Sequence, residues 1–150
     1  MAMTAGSPIF VDTNVLVYFI FTHFAEHQPA RQRLAECESL PAVLWTSRQV
    51  LREFLAVTTQ PGFLTPLPSF TFLAKTVRAF ENKFQIAADD AEVTALLLEL
   101  VENPGARGKQ IHDANIVATM RRHRISHLLT HNITDFRRYA PWVTAVPLIP

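Results

Sequence analysis

Four carboxylates of this 150-residue chain occupy positions that their surroundings do not explain. Asp12 closes the run Ile9-Phe10-Val11, and Asp113 falls on a helical wheel among Ile116, Val117 and Met120, in the middle of an apolar face. Glu53 borders the apolar arc of Val50, Leu51, Phe54 and Val57, and Asp135 follows the polar end of His127-Leu128-Leu129-Thr130. Each has a plain alternative: a helix cap for Asp12, a macrodipole partner for Asp113, a surface pair with Arg48 or Arg52 for Glu53. Brought together, they make an oxygen-only set without a compensating lysine, which selects a hard divalent cation, Mg²⁺ or Mn²⁺, over zinc. Two carboxylates ~4 Å apart repel by about 4 kcal/mol at an effective dielectric near 20, so four would take up protons unless a metal neutralised them.

The elements that would bring them together alternate. Ile9-Phe10-Val11 reads as a central strand buried on both faces, with Thr13 or Asn14 expected to cap the helix through Phe21. A helix starting around Gln28-Pro29-Ala30 carries Ala30, Leu34 and Cys37 inward. Ala42–Thr46 reads as a second strand, and Ser47 as the cap of a helix from Arg48 to about Thr59. Ser69 opens a helix carrying Leu73, Val77, Phe80 and Phe84, and Ala88-Asp89-Asp90 caps Ala91 to Glu102, with Val93, Leu96, Leu97, Leu100 and Val101 inward. A helix from Gln110, a third strand His127–Thr130 and a last strand Val143–Leu148, placed at an edge by Pro147, complete the pattern. Strand-helix alternation predicts a parallel sheet with right-handed crossovers, a three-layer α/β/α sandwich. All strand carboxyl ends then share one edge, where ligands bind in open α/β sheets.

Composition sets the remaining bounds. A chain that is 49% apolar and 18% charged is expected to fold as one domain, residues 1–150, with its own core. The single Cys37 excludes an internal disulfide and suits a buried helix face. No basic N-terminal region precedes the first apolar run and no run reaches the ~20 residues of a membrane span, so the expected location is cytoplasmic. The net charge of +1 hides an asymmetry. Residues 107–138 hold Arg107, Lys109, Arg121, Arg122, Arg124, Arg137 and Arg138 against only Asp113 and Asp135, a basic island around two acids that suits a polyanion, although such islands are often only solvated faces. Phe63, Phe70 and Phe72 add more aromatic surface than one helix normally buries, for the core or for a partner.

The motifs V-D-T-N-V-L-V-Y (Val11–Tyr18), L-R-E-F (Leu51–Phe54), I-H-D-A (Ile111–Ala114) and L-L-T-H-N-I-T-D-F (Leu128–Phe136) together resemble, in order and spacing, the PIN-domain ribonucleases, and among them the VapC-type toxins of bacterial toxin–antitoxin pairs. The resemblance covers nearly the whole chain. It implies a flavodoxin-like sandwich and a metal-dependent RNA endonuclease site at Asp12, Glu53, Asp113 and Asp135, supported by Thr130 and Asn132. It also implies products with a 5′-phosphate and a 3′-hydroxyl, a homodimer, and a cognate antitoxin that masks the site. His112 reads as a packing or substrate-contact residue, because a metal that activates water makes a side-chain base unnecessary. Two alternatives stay open: a housekeeping RNA-processing nuclease, and a non-catalytic RNA- or protein-binding module on the same fold. A phospho-accepting receiver or related phosphatase would need an acid two residues after Asp12 or a lysine after a late strand, where Asn14 and His131 stand.

Overall fold

The computed structural model describes residues 6–39 and 43–150. Five parallel strands, β1 (Ile9–Val11), β2 (Leu44–Ser47), β3 (Gln85–Ala87), β4 (His127–Leu129) and β5 (Thr144–Val146), form one sheet in the order β3-β2-β1-β4-β5. Seven helices connect them: α1 (Thr13–Ile20), α2 (His27–Ser39), α3 (Arg48–Thr58), α4 (Phe70–Lys83), α5 (Ala91–Glu102), α6 (Gln110–Arg122) and the short α7 (Ile133–Phe136). The chain steps outward from β1 to β3, then crosses to β4 and steps the other way. Right-handed crossovers therefore put α1–α4 on one face and α5–α7 on the other, the three layers expected.

β1 is the centre because its three side chains, and those of β4 beside it, have nowhere polar to go. Ile9, Phe10 and Val11 are completely buried, as are Leu128 and Leu129, and at roughly 1.5–3 kcal/mol per side chain this burial locks the register Ile9–His127, Phe10–Leu128, Val11–Leu129. The direction in which successive strands are added to the sheet reverses between these two parallel strands. The crevice at their carboxyl ends is thus the topological switch point, where open α/β sheets bind ligands.

Several local expectations change. β3 was not anticipated: three residues cannot show a period of two, and the helical spacing ran through Phe84, which instead caps α4 while Gln85-Ile86-Ala87 pairs with β2. α1 is capped by Asp12 itself, whose carboxylate accepts from the Thr13 amide, and not by Thr13 or Asn14. α2 begins two residues before Pro29. Val101 is 37% exposed, since α5 buries mainly Val93 and Leu100. Pro41 and Ala42, at the expected start of the second strand, lie outside the described residues. Ser47 and Ser69 cap α3 and α4 as expected, accepting from the amides of Val50 and Phe72, Cys37 is buried, and β5 is an edge strand. Among the described residues no helix is long and apolar enough to cross a membrane.

Candidate active site

Because the strands are parallel and each of β1–β4 is followed by a helix, helix N-termini collect at the same edge as strand carboxyl ends. Asp12 caps α1, Asp113 stands in the first turn of α6 and Asp135 in that of α7. Carboxylates gain from the positive end of each helix dipole. Glu53 arrives from the second turn of α3. Asp12, Glu53 and Asp113 line one cleft of ≈ 750 Å³ together with Thr13, Asn14, Lys109, His112 and Asn132, and with an apolar wall that includes Val17, Val57 and Phe63. Asp135 is exposed at the margin and does not line this cleft, yet its charge still reaches Asp113.

Asp12 is held tightly. It is 5% exposed; Oδ1 accepts from Thr13 N at 2.8 Å, and Oδ2 from Thr130 Oγ1 at 2.7 Å and Asn14 Nδ2 at 3.1 Å. Thr130 Oγ1 also accepts from the backbone amide of Asn132 at 3.1 Å, so both residues lie at this edge. Asn14 does more than sequence reasoning allowed it. Its Oδ1 accepts from His131 N at 3.0 Å and its Nδ2 reaches Thr130 Oγ1 at 3.3 Å, so one amide ties the ends of β1 and β4 together across the switch point.

Glu53 has no arginine partner. Arg48 pairs with Glu81 at 3.0 Å, whereas Glu53 accepts from Thr13 Oγ1 at 2.9 Å and Gln49 Nε2 at 2.8 Å. Gln49 was missed by the sequence reading, and the signal available was its place one helical turn before Glu53. Asn115, which contacts Gln49 at 2.7 Å, carried no signal.

Burial and crowding of like charges set the electrostatics of the acids. Burial pushes the Asp12 carboxyl above its ordinary value, with Glu53 adding to this and the hydrogen bonds from Thr130, Thr13 and Asn14 opposing it. Asp113 rises to about 6, through burial first and then the charges of Asp12, Asp135 and Glu53, with His112 acting the other way. Asp113 is thus within electrostatic range of the other three acids. Among the described residues, however, no three His, Cys, Asp or Glu side chains stand close enough to hold a metal ion. This donor set fits Mg²⁺ or Mn²⁺ and not a closed zinc cage, since Mg²⁺ keeps several waters and takes only one or two carboxylates besides its substrate's phosphates.

The basic island divides in two. Arg121 pairs with Glu99 at 3.1 Å and lies over the Trp142 ring at 5.0 Å, and Arg122 pairs with Asp90 and Glu92. α6 runs against the strands, so at about 1.5 Å per residue its C-terminal end lies ~15 Å from Asp113; Arg121 reaches Trp142 just before β5, whereas the Arg122 guanidinium is taken up by the acids at the N-terminus of α5. Arg124 lies beyond the helix end at φ 58°, shortly before β4. Lys109 is the basic residue lining the cleft.

A doubly wound sheet with an acid-lined crevice at its switch point defines a class, the α/β proteins that meet a ligand through carboxylates at strand ends. The comparisons narrow it. The family model described as PIN domain matches residues 9–140, and the chain belongs to that family. It is 28% identical over 129 residues to Ribonuclease VapC24 of Mycobacterium tuberculosis, covering 84% of this chain and 87% of that protein. The fold is shared with VapBC2 from Rickettsia felis bound to a DNA fragment from its promoter, at TM-score 0.68 and 21% identity over 93% of this chain and 98% of that one. It is shared also with Mycobacterium tuberculosis VapC20, a Sarcin-Ricin loop cleaving toxin, at TM-score 0.67 and 21% identity over 92% and 98%.

Proposed function

We propose that the chain, one PIN domain over residues 1–150, is a metal-dependent endoribonuclease that hydrolyses phosphodiester bonds as the toxin of a type II toxin–antitoxin pair. One observation carries the reading: acids from the end of β1, from α3 and from the start of α6 line a single cleft at the switch point of a PIN-family sheet. The similarity to a ribonuclease and the shared fold with toxin–antitoxin proteins support it. Of Asp12, Glu53, Asp113 and Asp135, one or two would hold Mg²⁺ or Mn²⁺ directly and the others through its waters. When bound, the ion supplies Lewis acidity toward a phosphoryl oxygen and lowers the pKa of a water for in-line attack.

The chain's own residues prepare that chemistry. Thr130, Thr13 and Asn14 keep both Asp12 oxygens in place, and Thr13 with Gln49 does the same for Glu53. The raised Asp113 makes a cation the natural complement, because a positive charge favours the ionised carboxylate. Lys109 at the cleft offers a point charge for an RNA phosphate.

Phe63, in the cleft wall, is 38% exposed, and Leu67, Phe70 and Phe72, a few residues further along the chain, are 49%, 72% and 45% exposed. Isolated exposed apolar residues are ordinary, but a group of this kind marks an interaction site. An antitoxin seated there would reach the acids with an arginine or lysine, replacing the metal's charge by a paired one. The chain is taken to act as a cytoplasmic homodimer. An RNA oligonucleotide incubated with the purified chain should be cut with Mg²⁺ or Mn²⁺ and spared with EDTA or with Asp12→Asn. Cleavage indifferent to both would overturn the reading.

A further inference from the structure

Glu53 is joined to a chain of side-chain amides whose polarity admits a single arrangement. Gln49, 6% exposed, donates through Nε2 to Glu53 Oε1 at 2.8 Å and to the His112 carbonyl at 2.8 Å. Its Oε1 accepts from Asn115 Nδ2 at 2.7 Å, and the same Nδ2 donates to Asp89 Oδ2 at 2.9 Å. The two ends, Glu53 and Asp89, are carboxylates and can only accept when ionised. Asn115 must therefore turn its NH₂ to Asp89, which forces Gln49 to offer its oxygen to Asn115 and its NH₂ to Glu53. All four amide hydrogens find acceptors in this direction; reversed, Gln49 Oε1 would face both Glu53 and the His112 carbonyl.

We infer that Gln49 is a positioning residue for the acidic site, with its orientation supported by Asp89 through Asn115. It fixes the Glu53 carboxylate relative to Asp113, because the carbonyl it grips belongs to the residue before that acid. The inference rests on the metal-site reading above and deepens it. Partners of this kind around metal ligands change affinity about 10–100-fold when lost.

The discriminating variants break the direction of the chain without emptying it. Asn115→Asp sets a carboxylate against Asp89 and against Gln49 Oε1, so the Gln49 NH₂ is contested between Glu53 with the His112 carbonyl on one side and the new carboxylate on the other. Adding Asp89→Asn removes the charge repulsion and restores a hydrogen bond between positions 89 and 115, yet leaves the carboxylate of position 115 competing for Gln49. Mn²⁺ is titrated calorimetrically into the RNA-free protein, and Tm is read without metal. Gln49→Met and Asn115→Asp should each bind Mn²⁺ about tenfold more weakly than wild type. The Asp89→Asn/Asn115→Asp pair should recover the Tm lost by Asn115→Asp but not its Mn²⁺ affinity, a split that a merely structural role would not produce. Recovery of both in the double variant, recovery of neither, or wild-type Mn²⁺ affinity in Gln49→Met overturns the inference alone. A wild-type chain that takes up no Mn²⁺ and cuts no RNA overturns the metal-site reading and this inference with it.

Discussion

Asp113→Asn isolates the cost of holding an acid in this site before metal arrives. In the folded chain the Asp113 carboxyl stands at about 6 instead of 3.8, so between those pH values the folded state binds more protons than the unfolded state. Stability must then fall as pH rises through this window and level off above it. Raising the value to about 6 sets a ceiling of about 3 kcal/mol at 1.36 kcal/mol per pH unit. Asp113 is half-buried, and solvent screening brings the expectation to about 1 kcal/mol. Asparagine is neutral at every pH, so without metal the variant should be more stable than wild type by that amount at pH 7, a Tm rise of ~2–4 °C for a chain of this size. The advantage should vanish near pH 4. Saturating Mg²⁺ or Mn²⁺ should reverse the order, because wild type gains the ion and the variant does not. Thermal melts at several pH values with EDTA or metal decide it: a destabilised metal-free variant, or an advantage that persists at pH 4, would refute the reasoning. Asp12→Asn is a poorer probe, since its amide would face some of the three donors that now serve the carboxylate.

Three further outcomes are expected. Asp12→Asn, Glu53→Gln and Asp113→Asn should each lower metal-dependent RNA cleavage by about a hundredfold or more, the scale of losing one preorganised charge partner; Asp135→Asn should cost less, because Asp135 is exposed and outside the cleft lining, and equal losses in quantitative cleavage assays would contradict the geometry. Lys109→Glu should weaken RNA binding and reduce its salt dependence by about one phosphate contact, whereas Arg122→Glu, at a residue already paired with Asp90 and Glu92, should leave the salt slope of a filter-binding titration unchanged while lowering Tm. Phe70→Ser with Phe72→Ser should weaken antitoxin binding in calorimetry while cleavage of RNA by the free toxin stays intact; unchanged antitoxin affinity would remove the apolar patch from the interface.

Local and periodic signals were enough for much of the fold. Strands buried on both faces announce a parallel sheet whatever their order, and serine at a strand-to-helix junction announces a cap, so β1, β2, β4 and the starts of α3 and α4 were legible residue by residue. The same signals singled out Asp12, Glu53 and Asp113, because an acid at the end of an apolar run or on an apolar helix face breaks a pattern. β3 was not legible, being three residues long and recognisable only by its pairing with β2. The basic island was legible as composition but misleading as a surface: Arg121 and Arg122 are taken up by Glu99, Asp90 and Glu92 of the neighbouring α5 region, and Arg124 lies past the end of α6. Hydrogen bonds between residues far apart in the chain lay further out of reach. Asn14 joining β1 to the turn after β4, and Gln49 joining Glu53 to α6, depend on the relative placement of whole elements, and no spacing along the chain encodes which of two amide atoms meets which partner. The sequence by itself determined which residues are chemically out of place; tertiary structure decided which of them meet, since only packing of the sheet and its helices converts separations of 40 to 118 residues into contacts of about 3 Å.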